Sequence, residues 1–228
     1  MASGTASPRV TARLADSRRR ILDAARIVVA EHGFAAAQVA VVASVADVAT
    51  GSVYRHFPSK SSLFAEMLRS VCARELEVVR AIAAEPGRPA LDRIGDCVSA
   101  FVDRALRGEG LAYAVIVEPM DPGVDQVRLE ARAALAGVFA DLITEGMATG
   151  ELPPQDARLR GAAIVGAFLE SVAGPLASRA RPGPGSTGPG STGAGSPAPD
   201  RAAIAAEIAG FCRSAVGGHR DAEGTRTP

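Results

Sequence analysis

Cysteine, histidine and lysine are scarce in this 228-residue chain, and each shortage closes off a class of chemistry. The three cysteines, Cys72, Cys97 and Cys212, are odd in number, far apart and outside any C-x-x-C pattern. They form neither a disulfide framework nor a zinc site and read as the reduced thiols of a cytoplasmic protein. The three histidines, His32, His56 and His219, are scattered, and His56 has no acid or thiol at helical spacing, so no metal site is expected. The chain also lacks a nucleophile–His–acid pattern and a glycine-rich strand-to-helix loop, so an enzyme is not expected, nor a cofactor. No apolar run reaches the ~18–20 residues of a membrane span; the richest stretch, Gly161 to Ala177, is interrupted by Glu170. The N-terminus has no apolar core of a secretory signal. These absences lead to the expectation of a soluble cytoplasmic protein with no membrane partner.

The chain is long enough for one large domain or two small ones. Its 25 basic and 25 acidic residues balance overall but not locally. Residues 1–70 hold nine Arg/Lys, including the only lysine, Lys60, against five acids; the remainder holds sixteen against twenty. A basic first third on an acidic body points to a polyanion as partner of that third. The Arg18-Arg19-Arg20 run reads either as a solvated helix start or as a phosphate contact.

Apolar residues recur at helical spacing almost throughout. Ile21, Leu22, Ala25, Val28 and Val29 mark a helix opened by Asp16 or Ser17 and stopped by Gly33. Val39, Val42 and Ala43 form a short piece, the turn Ala46 to Ala49 follows, and Val53 marks another short helix. A long helix begins at Ser59 and ends before Pro86-Gly87. Pro89 suits the first position of the next, with Leu91, Ile94, Val98, Phe101 and Val102 as its apolar face. Leu111–Val117, Val127–Ile143 and about 155–176 read as further helices, and Ile204, Ile208, Phe211 and Val216 mark the last. Strand-like alternation is absent, so the expected fold class is all-α. Between Arg181 and Pro199 lie five prolines, six glycines and no large apolar residue. That composition predicts a flexible loop over 181–199. The expected organisation is a disordered tail over 1–14, a helical domain over 15–62, a second all-helical domain over 63–216, and a disordered tail over 217–228.

The stretch from Val48 to Lys60, VATGSVYRHFPSK, concentrates hydrogen-bond donors among apolar residues. Two short helices joined by a tight turn make a helix-turn-helix, whose second helix enters the DNA major groove. Thr50, Gly51 and Ser52 are small, which permits close approach to the duplex. Val53 and Phe57 face a core, while Tyr54, His56 and Lys60 reach phosphates. Arg55 is the long side chain able to bond a guanine edge.

These residues carry a resemblance. RRRILDAARIVVAEHGF followed by VASVADVATGSVYRHFPSKSSLFAEML resembles the N-terminal domain of the TetR family of bacterial transcriptional repressors, over about fifty residues from Ser17 to Leu68. The run G-[ST]-[VL]-Y-x-H-F-x-[ST]-K is far more specific than a generic helix-turn-helix. The resemblance implies a homodimer, makes 15–62 the DNA-binding domain and 63–216 a variable all-helical ligand-binding and dimerisation domain, and implies release of operator DNA on ligand binding. It places DNA contacts at Gln38, Thr50, Gly51, Ser52, Tyr54, Arg55, His56 and Lys60. Two positions depart from the pattern. Ala37 stands where a Thr or Ser would cap the second helix and touch phosphate, a loss of roughly 1 kcal/mol that Gln38 offsets. Asp47 replaces the glycine expected where the backbone turns left-handed, a conformation that Asp tolerates.

For the second domain the sequence offers an apolar set, Phe101, Tyr113, Val117, Met120, Phe139 and Phe168, with Glu118 and Tyr113 as polar orienting groups. These residues read either as core or as the lining of an effector site. A repressor released by a small, mostly apolar molecule is the expected function. The alternative is a helix-turn-helix regulator controlled by a protein partner.

Overall fold

The computed structural model describes residues 8–180 and 200–217, with side chains over 12–178 and 200–217. The expected loop 181–199 and the terminal residues 1–7 and 218–228 lie outside the described residues. Among the described residues all regular structure is helical: α1 (Pro8–Ala36), α2 (Val39–Val45), α3 (Thr50–His56), α4 (Lys60–Ala83), α5 (Ala90–Arg107), α6 (Glu109–Ile116), α7 (Pro122–Ala148), α8 (Ala157–Ala180) and α9 (Arg201–Gly217). The all-α expectation holds. The chain divides into two compact units, one of Met1–Cys72 with Gly110–Leu129, the other of Ala73–Glu109 with Glu130–Pro228.

The first unit is built on the apolar stripe of α1. Ile21, Ala24, Ala25, Val28 and Val29 are buried against Val39, Val42 and Ala43 of α2, Val53 of α3, and Leu63, Phe64, Met67 and Leu68 of α4. Ala114 of α6 and Val124 and Val127 of α7 complete this core. Phe34 and Phe64 meet edge to face, their ring centroids 5.9 Å apart. The turn between α2 and α3 spans residues 46–49, as the apolar spacing predicts. Helix α1 starts at Pro8, earlier than the Asp16/Ser17 signal. Proline is compatible with a first helical turn, and the polar residues after it carry no periodicity from which a start could be read.

Gly33 breaks α1 with φ 73°, as expected of a stop. Ala37, read from the sequence as a lost helix cap, is fully buried, and the N-cap of α2 is Gln38, whose side chain makes no cap hydrogen bond. The cap position is therefore one residue later than expected, and Gln38 does not offset the loss. A long amide side chain is poorly suited to fold back on N–H groups that a Ser or Asp reaches directly.

In the second unit, Ile94, Cys97, Val98 and Val102 of α5 are buried along with Ala205, Ala209 and Cys212 of α9. Gly95 lets the Arg213 side chain lie flat on α5; a Cβ there would be 2.7 Å from the arginine Cδ. Pro89 is the N-cap of α5 and not its first residue. The free N–H groups of Ala90 and Leu91 donate instead to the Glu151 carboxylate at 2.7 and 2.8 Å, a cap supplied from 60 residues downstream. Arg93, only 5% exposed, donates to the Ala83 carbonyl at 2.7 Å and pairs with Glu145.

Helix α8 is long and apolar enough over Ala157–Ser178 to cross a membrane by length and composition, against the expectation that no segment is. Glu170 is too little charge to disqualify it. It packs on α5 and α9, and Gly161 presses onto α7, where a Cβ would be 2.5 Å from the Ala136 carbonyl. That packing is what a core helix of a helical bundle makes.

Candidate nucleic-acid interface

Helix α3 presents one face inward and one outward. Val53 and Phe57 are 1% and 2% exposed, so they anchor the helix in the core of the first unit. Thr50, Gly51, Tyr54 and Arg55 are exposed, and Ser52 and His56 are half-buried. Gly51 has no atom within 4 Å of where a Cβ would sit, so the fold itself does not require a glycine there. Gln38 is exposed at the start of α2. Ala49, the N-cap of α3, brings no side-chain cap, so the first N–H groups of that helix are left to other acceptors.

The start of α4 is built by two serines. The Ser59 hydroxyl accepts from the N–H of Ser62 at 3.0 Å, and the Ser62 hydroxyl accepts from the N–H of Ser59 at 3.0 Å, a reciprocal capping box. This fixes Lys60 as the first residue of α4, exposed, with its Nζ 5.7 Å from the Phe64 ring centroid. Lys60 thus follows α3 at a defined position, not on a free loop. The turn residue Asp47 has φ 52°, the left-handed conformation expected from the sequence.

Segment 110–129 ties into this same unit at two points. The Glu118 carboxylate accepts from the Phe34 N–H at 2.8 Å, beside the break at Gly33, where a Cβ would fall 2.4 Å from Glu118 Oε1. Asp121 accepts from the Ser61 hydroxyl at 2.8 Å and from the Gly123 N–H at 3.0 Å, capping α7 just before Pro122. The Ser61 bond foremost, then the Gly123 N–H, holds the Asp121 carboxyl below its ordinary pKa. Sequence reasoning missed the Glu118 tie to α1, for which no local signal exists.

The residues expected to line an effector site fall into two groups. Phe101, Phe139 and Phe168 meet in the second unit, with Phe168 4.8 Å from Phe101 and 6.0 Å from Phe139, centroid to centroid. Phe139 and Phe168 are buried, Phe101 half-buried. Tyr113, Val117, Glu118 and Met120 belong to the first unit, all half-buried, and Met120 packs on its core. No group of three or more His, Cys, Asp or Glu able to hold a metal ion occurs among the described residues.

A short exposed helix anchored by Val53 and Phe57 and preceded by a four-residue turn makes a helix-turn-helix motif. Residues 21–67 match the profile of the bacterial regulatory proteins of the tetR family. Among curated proteins, the HTH-type transcriptional repressor KstR of Rhodococcus jostii is 38% identical over 97 residues, 42% of this chain and 43% of that protein. KstR of Mycobacterium tuberculosis is 45% identical over 53 residues, 23% and 24% of the two chains. The chain thus spans less than half the length of these relatives. The fatty acid metabolism regulator protein of Bacillus subtilis is 26% identical over 157 residues, 67% of this chain and 80% of its own. Among solved structures, the transcriptional regulator FadR from Bacillus subtilis in complex with stearoyl-CoA superposes with a TM-score of 0.71 at 21% identity, covering 86% of this chain and 98% of that one. FadR from Bacillus halodurans gives 0.69 at 20% identity, covering 86% and 97%. These two likenesses establish the fold. Residues 21–67 are thus similar to the bacterial regulatory proteins of the tetR family, and the fold of the chain is that of the two FadR structures.

Proposed function

We propose that this protein is a cytoplasmic, homodimeric transcriptional repressor that binds a double-stranded operator and leaves it when a small, mostly apolar molecule binds. The observation that carries the DNA-binding part is the two-faced α3, with Val53 and Phe57 buried and Thr50, Gly51, Tyr54 and Arg55 exposed. Thr50, Gly51 and Ser52 let the helix approach base edges and Arg55 reads a guanine. Gln38, Tyr54, His56 and Lys60 hold phosphates.

The dimer reading draws support from α8 and α9. Leu159 and Phe211 are 66% and 62% exposed, and Gly166, Gly174 and Gly210 have nothing within 4 Å of a Cβ position. Glycine in an open helix position costs roughly 1 kcal/mol against alanine and gains nothing in a lone chain. A second copy approaching closely, over Ala162, Ala163 and Ala167, would use it.

The effector reading is supported by Phe101, Phe139 and Phe168, an apolar cluster, and by likeness to a regulator solved with stearoyl-CoA. A long-chain acyl thioester is therefore the first probe to use; Tyr113, Val117, Glu118 and Met120, in the first unit, are tested as separate candidates by substitution. Helix α4, 24 residues without a break, is the covalent route by which a shift at its far end would reach the recognition helix. The test selects operators from a random duplex pool, then measures acyl-thioester affinity with and without saturating operator. Linkage requires DNA to weaken the ligand by the same factor as ligand weakens DNA. Equal affinities would remove the small molecule as inducer and favour a protein partner.

A further inference from the structure

We propose that Arg18 and Arg20 are internal clamps that set the two helices of the helix-turn-helix, and that neither is a phosphate contact. This rests on the reading that α3 meets DNA. Both arginines flank the apolar stripe of α1 that begins at Ile21, and each reaches the C-terminal end of a different short helix.

Arg20 takes the end of α2. Its Nη2 lies 2.5 Å from the carbonyl of Ala46, the C-cap of that helix, and 3.2 Å from the carbonyl of Asp47. The same nitrogen is 3.6 Å from an Asp47 carboxylate oxygen. One guanidinium therefore holds the residues that open the turn, including the one non-glycine residue at positive φ among the described residues. Arg18 takes the end of α3. Its Cζ lies 4.5 Å from the Phe57 ring centroid, its Nη1 is 3.4 Å from the carbonyl of His56, and its Nη2 is 3.1 Å from Glu66 on α4. It links the last residue of the recognition helix, the C-cap residue after it and the helix that follows.

Two physical arguments make these contacts functional. A helix C-terminus exposes unpaired carbonyls at the negative end of its dipole, and a cation there satisfies both. Each of the two helices has only seven residues, too short to be stable alone, so its end contacts decide its orientation. Arg19, between them, pairs with Asp16 on its own helix and is 72% exposed. The Arg18 and Arg20 side chains are 39% and 45% exposed, so the run splits into two residues that lie along the surface and reach neighbouring helices and one that bonds only its own helix.

The test uses the full chain and an operator recovered from a random pool, with Kd measured against salt for Arg18→Gln, Arg20→Gln and Arg20→Lys. The clamp predicts that both glutamine variants lose about ten-fold on the operator and little on unrelated duplex, with an unchanged log Kd against log salt slope. Arg20→Lys, which keeps a cation for the Ala46 carbonyl, should fall between. Adding Asp47→Gly should recover most of the Arg20→Gln loss, because glycine takes positive φ without strain. Equal loss on both DNAs with a slope shallower by about one unit per arginine would overturn the proposal. A parent chain that binds no duplex would sink the DNA reading instead. Amide exchange over residues 46–49 would then decide the clamp: faster exchange in the Arg20 variants supports it and unchanged protection refutes it. Should a glutamine variant fail to fold, Arg20→Lys alone and with Asp47→Gly carries the same comparison.

Discussion

The carboxylate of Glu118 accepts the backbone N–H of Phe34 at 2.8 Å, across 84 residues of sequence, at the point where α1 breaks. The contact exists because Gly33 has no side chain and φ 73°. Gly33→Ala should cost roughly 2–4 kcal/mol, from an alanine held at φ 73° and ψ 171°, a region open essentially to glycine alone, and from a displaced charged hydrogen bond. Glu118→Gln keeps an acceptor and should cost under about 1 kcal/mol. Denaturant unfolding of the two variants checks the ranking. A mild Gly33→Ala would mean that the backbone there relaxes.

Gly51 separates fold from function. Among the described residues nothing fills the space beside it, so Gly51→Ala should stabilise α3 by about 0.5–1 kcal/mol through helix propensity. The added methyl group stands on the proposed DNA face, so operator affinity should drop at least about ten-fold in a titration of the same preparation. Unchanged affinity would move the DNA surface away from the start of α3.

Gln38 is an N-cap that caps nothing. Gln38→Ser or Gln38→Asp should raise stability by about 1 kcal/mol, read as a Tm higher by a few degrees. The aspartate adds a negative charge near the proposed phosphates. It should therefore weaken DNA binding while the serine does not.

Helical periodicity and punctuation made most of the fold legible. Val42, Ala43 and Val53 fixed the helix-turn-helix and its turn to the residue, and Gly33 and Pro86-Gly87 marked helix ends. What escaped was what distant segments supply. The cap of α5 comes from Glu151 and the anchor at Phe34 from Glu118, and no local pattern encodes either. The partition of the apolar candidates escaped for a different reason. Tyr113, Val117 and Met120 are chemically like Phe101, Phe139 and Phe168, and composition cannot assign them to separate units. At the proposed DNA face, the exposed and buried residues of α3 were legible because burial there alternates at helical spacing.

Lys60 and Arg55 should fail differently. Lys60→Ala should weaken binding about equally on all sequences and shallow the log-affinity against log-salt slope by about one unit. Arg55→Ala should flatten preference at one base position of the operator. A salt titration and a repeated pool selection distinguish these outcomes. An unchanged slope would take Lys60 off the phosphate backbone.

Thiol chemistry should report folding. Burial pushes the Cys97 thiol up to about 12 and the Cys212 thiol up to about 11. Both should resist a maleimide or disulfide reagent at pH 8 in the native state and react only as the protein unfolds. Mass-resolved labelling with and without denaturant gives the rates. Rapid native labelling of Cys97 would contradict its burial.

Acid should loosen the Asp121 contact. Its folded pKa lies below the ordinary 3.8, so its contribution is complete above the unfolded value and is lost as pH falls through the folded one. Asp121→Asn should therefore be less stable than the parent at pH 7 and differ progressively less from it below about pH 4. Paired melts across that range test the sign.

The pairing of charges in the first seventy residues changes where the field of the protein originates. All five acids there lie within 4 Å of a basic side chain: Asp16 beside Arg19, Asp23 beside Arg26, Glu31 beside His32, Asp47 beside Arg20, and Glu66 beside Arg18 and Arg69. Arg55 and Lys60 make no such pair among the described residues. Arg13 of α1 is likewise outside these pairs, so the positive excess is shared between the early part of α1 and the α3–Lys60 face, and long-range attraction should turn the proposed DNA face toward a duplex before any contact forms. Encounter should accelerate as ionic strength falls, and the gain should come through the association rate constant more than through the lifetime of the complex.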